Sequence, residues 1–224
     1  MGLREDKKAQ AKQMISSVAT ALFLKRGFDA VSVADVAIAA NVSKMTVFNY
    51  FPRKEDLFLD RSEEARTLVR GAILERGSKQ SAVDGFFACA QRLVSEGHPF
   101  AKWTPATEHF FGTIQKSPSL IARGRELREV MEAGLTAALS EAAATRSGDA
   151  TAHILAVSMV AAWRIAHATA TSAYREGKRG AALSKLFLLA LDEALEPVRR
   201  AVRRTPYGVS PARRVGSLPP LAKS

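Results

Sequence analysis

Apolar residues recur at intervals of three and four along the chain, and the period-two alternation of half-buried strands is absent. Nearly every segment therefore reads as helix. The first stripe comprises Ala11, Met14, Ile15, Val18, Ala19, Leu22 and Phe23, and Gly27 ends it at a C′ position. Ser32 stands three residues before Asp35, a capping-box spacing that opens a short second helix through Ala40. Ser43 opens a third, from Lys44 to about Tyr50, and Pro52 stops it. A fourth helix is expected from Lys54 to about Ile73. Ser81 precedes Asp84 by three, and Thr104-Pro105 and Ser117-Pro118 each set a cap before a proline at the first helical position. Asp149 caps a long segment to about Tyr174, and a last helix is expected from about Ala181 to Arg204, kinked or shortened by Pro197. From Pro206 to Ser224 four prolines and two glycines interrupt any apolar period, so 206–224 reads as a disordered, basic tail.

Composition narrows the class. With 224 residues and 47% hydrophobic content, the chain is long enough for one domain or two small ones and too apolar to be wholly disordered. The single cysteine, Cys89, excludes an internal disulfide framework and fits a reducing compartment. No stretch reaches the roughly 18–20 apolar residues of a membrane span, and the charged first residues lack the apolar core of a secretory signal. The expectation is a cytoplasmic protein with no membrane partner. A net charge of +11 points to a polyanion without saying where it binds.

The informative stretch is Ser32 to Phe51. Two short helices meet through only Asn41, Val42 and Ser43, and asparagine tolerates the left-handed conformation that such a corner requires. Val42 can pack on Val47 as a hydrophobic staple. Val36, Ala37, Ala40, Val47 and Phe51 are expected to bury against the first helix, leaving Lys44, Met45, Thr46, Phe48 and Asn49 on or near the outer face. This is helix-turn-helix logic: the second helix, with short polar and basic residues at its start, fits a major groove about 12 Å wide.

The run Ala21–Leu57 resembles the DNA-binding domain of the TetR family of bacterial repressors. The likeness rests on Gly27-Phe28, the Val-Ser cap, Thr46-Val47-Phe48-Asn49-Tyr50-Phe51 and Lys54-Glu55-Asp56-Leu57. It implies an all-α fold with an N-terminal three-helix helix-turn-helix domain (1–55), followed by a larger helical ligand-binding and dimerisation domain (56–205). It also implies that Ser43, Lys44, Met45 and Thr46 lie where base and phosphate contacts are made. Asn49 falls at an outward position near the backbone or a base edge. Tyr50 and Lys54 match phosphate contacts, and Ser32 matches a cap that also touches phosphate. Two residues depart from the family pattern: Phe48 stands where tyrosine is usual, and Asn41 replaces the glycine of the turn. Met45 offers no hydrogen bond and can read only apolar features such as a thymine methyl.

Elsewhere the chemistry is sparse. His98, His109, His153 and His167 include no close pair of metal-ligand spacing, and His153 and His167 lie about 21 Å apart along one helix. No nucleophile with a base and no carboxylate pair is present, so neither an enzyme nor a cofactor is expected. Trp103, Phe110, Phe111, Met159, Trp163 and His167 fit a plain bundle core, and the family likeness adds a pocket there for a small apolar or aromatic ligand. The alanine-rich last two helices are expected to form a homodimer that meets a palindromic operator in double-stranded DNA. The resulting expectation is a repressor released by a small molecule. The alternative is an activator or nucleoid-type binder without an effector. Charge then refines its own hint: residues 196–224 hold seven Lys/Arg against one Asp/Glu, so the excess sits mostly at the C-terminal end and the DNA assignment rests on spacing.

Overall fold

A computed structural model describes residues 3–146 and 148–208. Those residues form ten α-helices: α1 (Leu3–Arg26), α2 (Val33–Ala39), α3 (Lys44–Tyr50), α4 (Lys54–Phe58), α5 (Ser62–Leu74), α6 (Ala82–Ser95), α7 (Pro105–Lys116), α8 (Pro118–Ala143), α9 (Ala150–Arg175) and α10 (Ala181–Val202). A single 3₁₀ turn, Pro99–Ala101, joins α6 to α7. The chain is all-α among the described residues, as its periodicity predicts.

Two large cores organise the helices. The head core gathers Ile15, Ala19 and Phe23 of α1, Val36 and Ala37 of α2, Val47 of α3 and Leu57 and Phe58 of α4. The body core joins α5, α6, α8, α9 and α10 through Ile73, Phe86, Leu139, Met159, Phe187 and Leu191. Helix α9 packs on both α8 and α10, and alanines Ala152, Ala156, Ala162, Ala166 and Ala170 form its buried side. By length and composition α9 is the one helix among the described residues apolar enough to cross a bilayer, although the sequence suggested none. In the fold its buried side is core. Helices α5 and α6 touch most closely at Gly85, where a Cβ would stand 2.5 Å from the Ala72 carbonyl oxygen, so only glycine fits.

All but one of the capping signals give a side-chain cap. Ser32, Ser81 and Thr104 all close reciprocal capping boxes, and the Asp149 carboxylate accepts from the Thr151 amide. Ser117 precedes Pro118 as expected but does not cap; its hydroxyl donates to Asp29 Oδ1 at 3.0 Å, across to the head.

Three expectations need correction. The helix expected from Lys54 to Ile73 is broken at Leu59–Arg61, because α4 must deliver Leu57 and Phe58 to the head core while α5 delivers Ile73 to the body core. The Ser16 hydroxyl, hydrogen-bonded to the Asp60 carboxylate, ties that turn to α1. The last helix runs through Pro197 and ends at Val202 rather than Arg204. The tail expected from Pro206 begins with an ordered residue. Tyr207 is fully buried, its hydroxyl is bonded to Asp149 and Thr145, and its carbonyl accepts from the Ala82 amide. Residues 209–224, the rest of that tail, lie outside the described residues.

Candidate nucleic-acid interface and the region behind it

Helix α3 owes its position to its neighbours in sequence. Asn41 adopts φ 53°, the left-handed conformation that turns the chain sharply between α2 and α3. The Ser43 hydroxyl then accepts from the Thr46 amide at 2.9 Å and lies 2.8 Å from Thr46 Oγ1. Val47 and Phe51 are buried in the head core with Val36, Ala37 and Ala40, as their spacing predicts. Anchoring those two fixes the opposite face. Lys44, Met45, Phe48 and Asn49 are exposed, Thr46 and Tyr50 half-buried.

The other candidates lie around this helix. Ser32 caps α2, and Asp35 accepts from both the Ser32 amide at 2.8 Å and its hydroxyl at 2.7 Å. The backbone hydrogen bond from Ser32, then that from its hydroxyl, hold the Asp35 carboxyl below its ordinary range. Lys44 reaches over the Phe48 ring, 5.8 Å from its centre. Lys54 lies 4.3 Å from the centre of the Phe28 ring and 5.8 Å from that of Phe23. Its partial burial lowers the ammonium pKa, opposed by Asp29 and Glu55. The aromatic faces thus supply part of the compensation for a cation at a helix start.

The six aromatic and sulfur-bearing candidates beyond the head do not form one group. Met159 is wholly buried in the body core. Trp103 and Trp163 pack on Phe187, and Trp103 and Phe111 pack on His167. Trp103 to His167 is 5.3 Å between ring centres, Phe111 to His167 5.0 Å, Trp103 to Phe187 5.3 Å and Trp163 to Phe187 5.0 Å. Trp103 Nε1 donates to Thr171 Oγ1 at 3.1 Å, and that hydroxyl donates to the His167 carbonyl at 2.8 Å. Burial pushes the His167 imidazole down to about 4, so it is neutral at pH 7. Phe110 turns the other way and stacks on Phe58 of the head at 4.4 Å. A groove of about 830 Å³ runs instead between the α1–α2 turn and α7, lined by Phe28, Asp29, Glu108, Gly112 and Lys116 among others. None of the six lines it.

The junction of head and body is what residue-by-residue reading missed. Leu120, in the first turn of α8, is wholly buried in the head core, with Phe110 and Ile114 of α7 packed against that core. Arg123 Nε donates to Asp56 Oδ1 at 2.8 Å, and Glu126 receives both Arg123 and Arg53 at 2.7 Å. The apolar Leu120, two residues after Pro118, was the available signal, but periodicity does not say which of two cores a residue enters.

Residues 15–60, which run from the middle of α1 through α4, match the family of "Bacterial regulatory proteins, tetR family". The head is similar to the DNA-binding head of that family. Over 46 residues, 20% of this chain, the sequence is 48% identical to the HTH-type transcriptional regulator LuxR of Vibrio harveyi. The chain covers only 22% of that protein. The fold extends further than the sequence match. A Mesorhizobium loti protein assigned to the TetR-family transcriptional regulators superposes with a TM-score of 0.50 at 19% identity, covering 84% of this chain and 96% of that one. Thermus thermophilus FadR, a TetR-family transcriptional repressor solved in complex with lauroyl-CoA, gives 0.50 at 22% identity over 83% and 93%. These two likenesses are of fold. In the TetR-type head, α2, the Asn41 corner and α3 are the helix-turn-helix.

Proposed function

We propose that the chain is a cytoplasmic, homodimeric transcriptional repressor that binds a palindromic operator in double-stranded DNA and is released by a small apolar or aromatic molecule. The observation that carries the reading is the exposed face of α3 on a TetR-type head. Its core residues are committed inward, and Lys44, Met45 and Asn49 face solvent together. Lys44 and Met45 with Ser43, Thr46 and Asn49 are assigned to bases and adjacent phosphates, and Ser32, Tyr50 and Lys54 to the phosphate backbone.

Dimerisation is supported by apolar side chains left in solvent on the last two helices. Ile154, Val157 and Ile165 lie on one stripe of α9, and Leu189 on α10 is 52% exposed. Coupling is supported by the shared packing at Leu120 and Phe110. A molecule that displaces α7 or α8 by wedging between the rings of Trp103, Phe111, Trp163 and His167 also displaces part of the head core. Such a molecule lowers DNA affinity by the ratio of its affinities for the two arrangements. The test is an anisotropy titration of the full-length protein on a duplex selected from a random pool, with light scattering in parallel. A dimer that binds the selected palindrome and loses it to an apolar effector supports the reading. A micromolar monomer, or sequence-tolerant binding unaffected by every effector tried, contradicts it.

A further inference from the structure

The outward face of α3 leaves two large apolar side chains to solvent. Met45 is 69% exposed and Phe48 39%, and at a spacing of three they are neighbours on the helix surface. Three of the nearby polar groups are engaged: the hydroxyls of Ser43 and Thr46 are tied to each other in the cap, and the Lys44 ammonium lies over the Phe48 ring. The outer face of α3 therefore presents an apolar pair edged by one cation and by the exposed Asn49.

Base edges in the major groove carry donors and acceptors at nearly every position; the apolar feature is the C5 methyl of thymine. A methionine or phenylalanine set against the cytosine amino group or guanine O6 strips water from it and returns no hydrogen bond. Set against a methyl, the same side chain removes apolar area from water on both partners. We infer that Met45 and Phe48 form a reader of pyrimidine C5 methyl groups, so that each half-site of the operator carries a thymine beneath them. This rests on the reading of α3 as the DNA-reading helix. One buried methyl corresponds to about a fourfold change in affinity for each half-site, or about fifteenfold for a symmetric pair.

The experiment uses the full-length protein and a duplex recovered by selection from a random pool. Thymines are replaced one symmetric pair at a time by deoxyuridine, which removes only the C5 methyl. In a second series the same pair is replaced by cytosine or 5-methylcytosine. The expected result is an affinity loss of about fifteenfold at one or two symmetric thymine pairs, with 5-methylcytosine binding more tightly than cytosine there. Met45→Ala should erase the thymine-to-uracil difference while still binding, and Met45→Leu should keep it. Because Met45 is exposed, neither variant disturbs the head core, and Phe48→Leu gives an independent check by weakening the difference. Wild-type protein blind to every deoxyuridine replacement overturns the inference, as does full discrimination retained in Met45→Ala. Recovery of no preferred duplex overturns the DNA-reading assignment and this inference with it; methyl-blind binding to a preferred duplex overturns this inference alone.

Discussion

Replacing Leu120 by alanine tests whether head and body share packing. Leu120 belongs to α8 by chain and to the head core by contact, and it is wholly buried among residues that include Phe58 and Phe28. The substitution removes three carbon atoms, about 2.4 kcal/mol of transfer free energy, and leaves a cavity whose lining cannot fully collapse. The expected cost is about 3 kcal/mol, which at about 2–4 °C per kcal/mol for a chain of this size lowers the melting temperature by about 6–12 °C. The two tryptophans, Trp103 and Trp163, both pack against the body core, so their fluorescence reports the body, whereas far-ultraviolet circular dichroism reports every helix. In Leu120→Ala the dichroism signal should begin to fall before the fluorescence changes, as the head loosens first, whereas in the wild type the two should coincide more closely. A cost below about 1 kcal/mol would refute the claim that Leu120 closes the head core.

Other perturbations probe separate links. Asn41→Ala leaves a β-carbon at φ 53° without the polar side chain that lets asparagine tolerate that conformation and should cost about 1 kcal/mol in urea unfolding, while Asn41→Gly should leave stability nearly unchanged. His167, ordinarily near 6.5 and held at about 4 by burial, binds fewer protons in the folded than in the unfolded chain between those values. Stability should therefore fall as pH drops from about 6.5 to about 4, by up to about 3 kcal/mol, and the His167→Gln variant should show a flatter profile. Tyr207→Phe removes the hydroxyl bonded to Asp149 and Thr145 and should cost about 1–3 kcal/mol; an unchanged melting curve would mean those bonds add nothing. Lys54→Ala should lose about 0.5–1 kcal/mol of stability with the contact over Phe28, separately from any change in DNA affinity.

Most helix starts were legible because their signals are local. A Ser or Thr followed three residues later by Asp, or a proline at the first helical position, specifies a cap wherever the segment packs. The helix-turn-helix was legible for the same reason: Asn41, Ser43, Val47 and Phe51 act within a dozen residues of one another. The break between α4 and α5 was not, since the apolar period continues across it and the cause is tertiary, the tie from Ser16 to Asp60 and two cores lying in different directions. Phe110 illustrates the same limit. Its neighbour Phe111 faces His167, but one position around the helix Phe110 meets Phe58 instead. Tyr207 sat in a stretch whose prolines and glycines masked a single anchoring aromatic. Tyr207 is bound where α8 meets α9, about 35 Å along α8 from Leu120.

The assignment of α3 as the DNA-reading helix is tested most directly by anisotropy of the selected duplex and scrambled controls, with wild-type protein, Lys44→Ala and Tyr50→Phe. Lys44→Ala should weaken binding and also narrow the gap between selected and scrambled duplexes. Tyr50→Phe should weaken both to a similar degree, as loss of a phosphate contact does. Wild-type affinity and specificity retained in both variants would contradict the assignment.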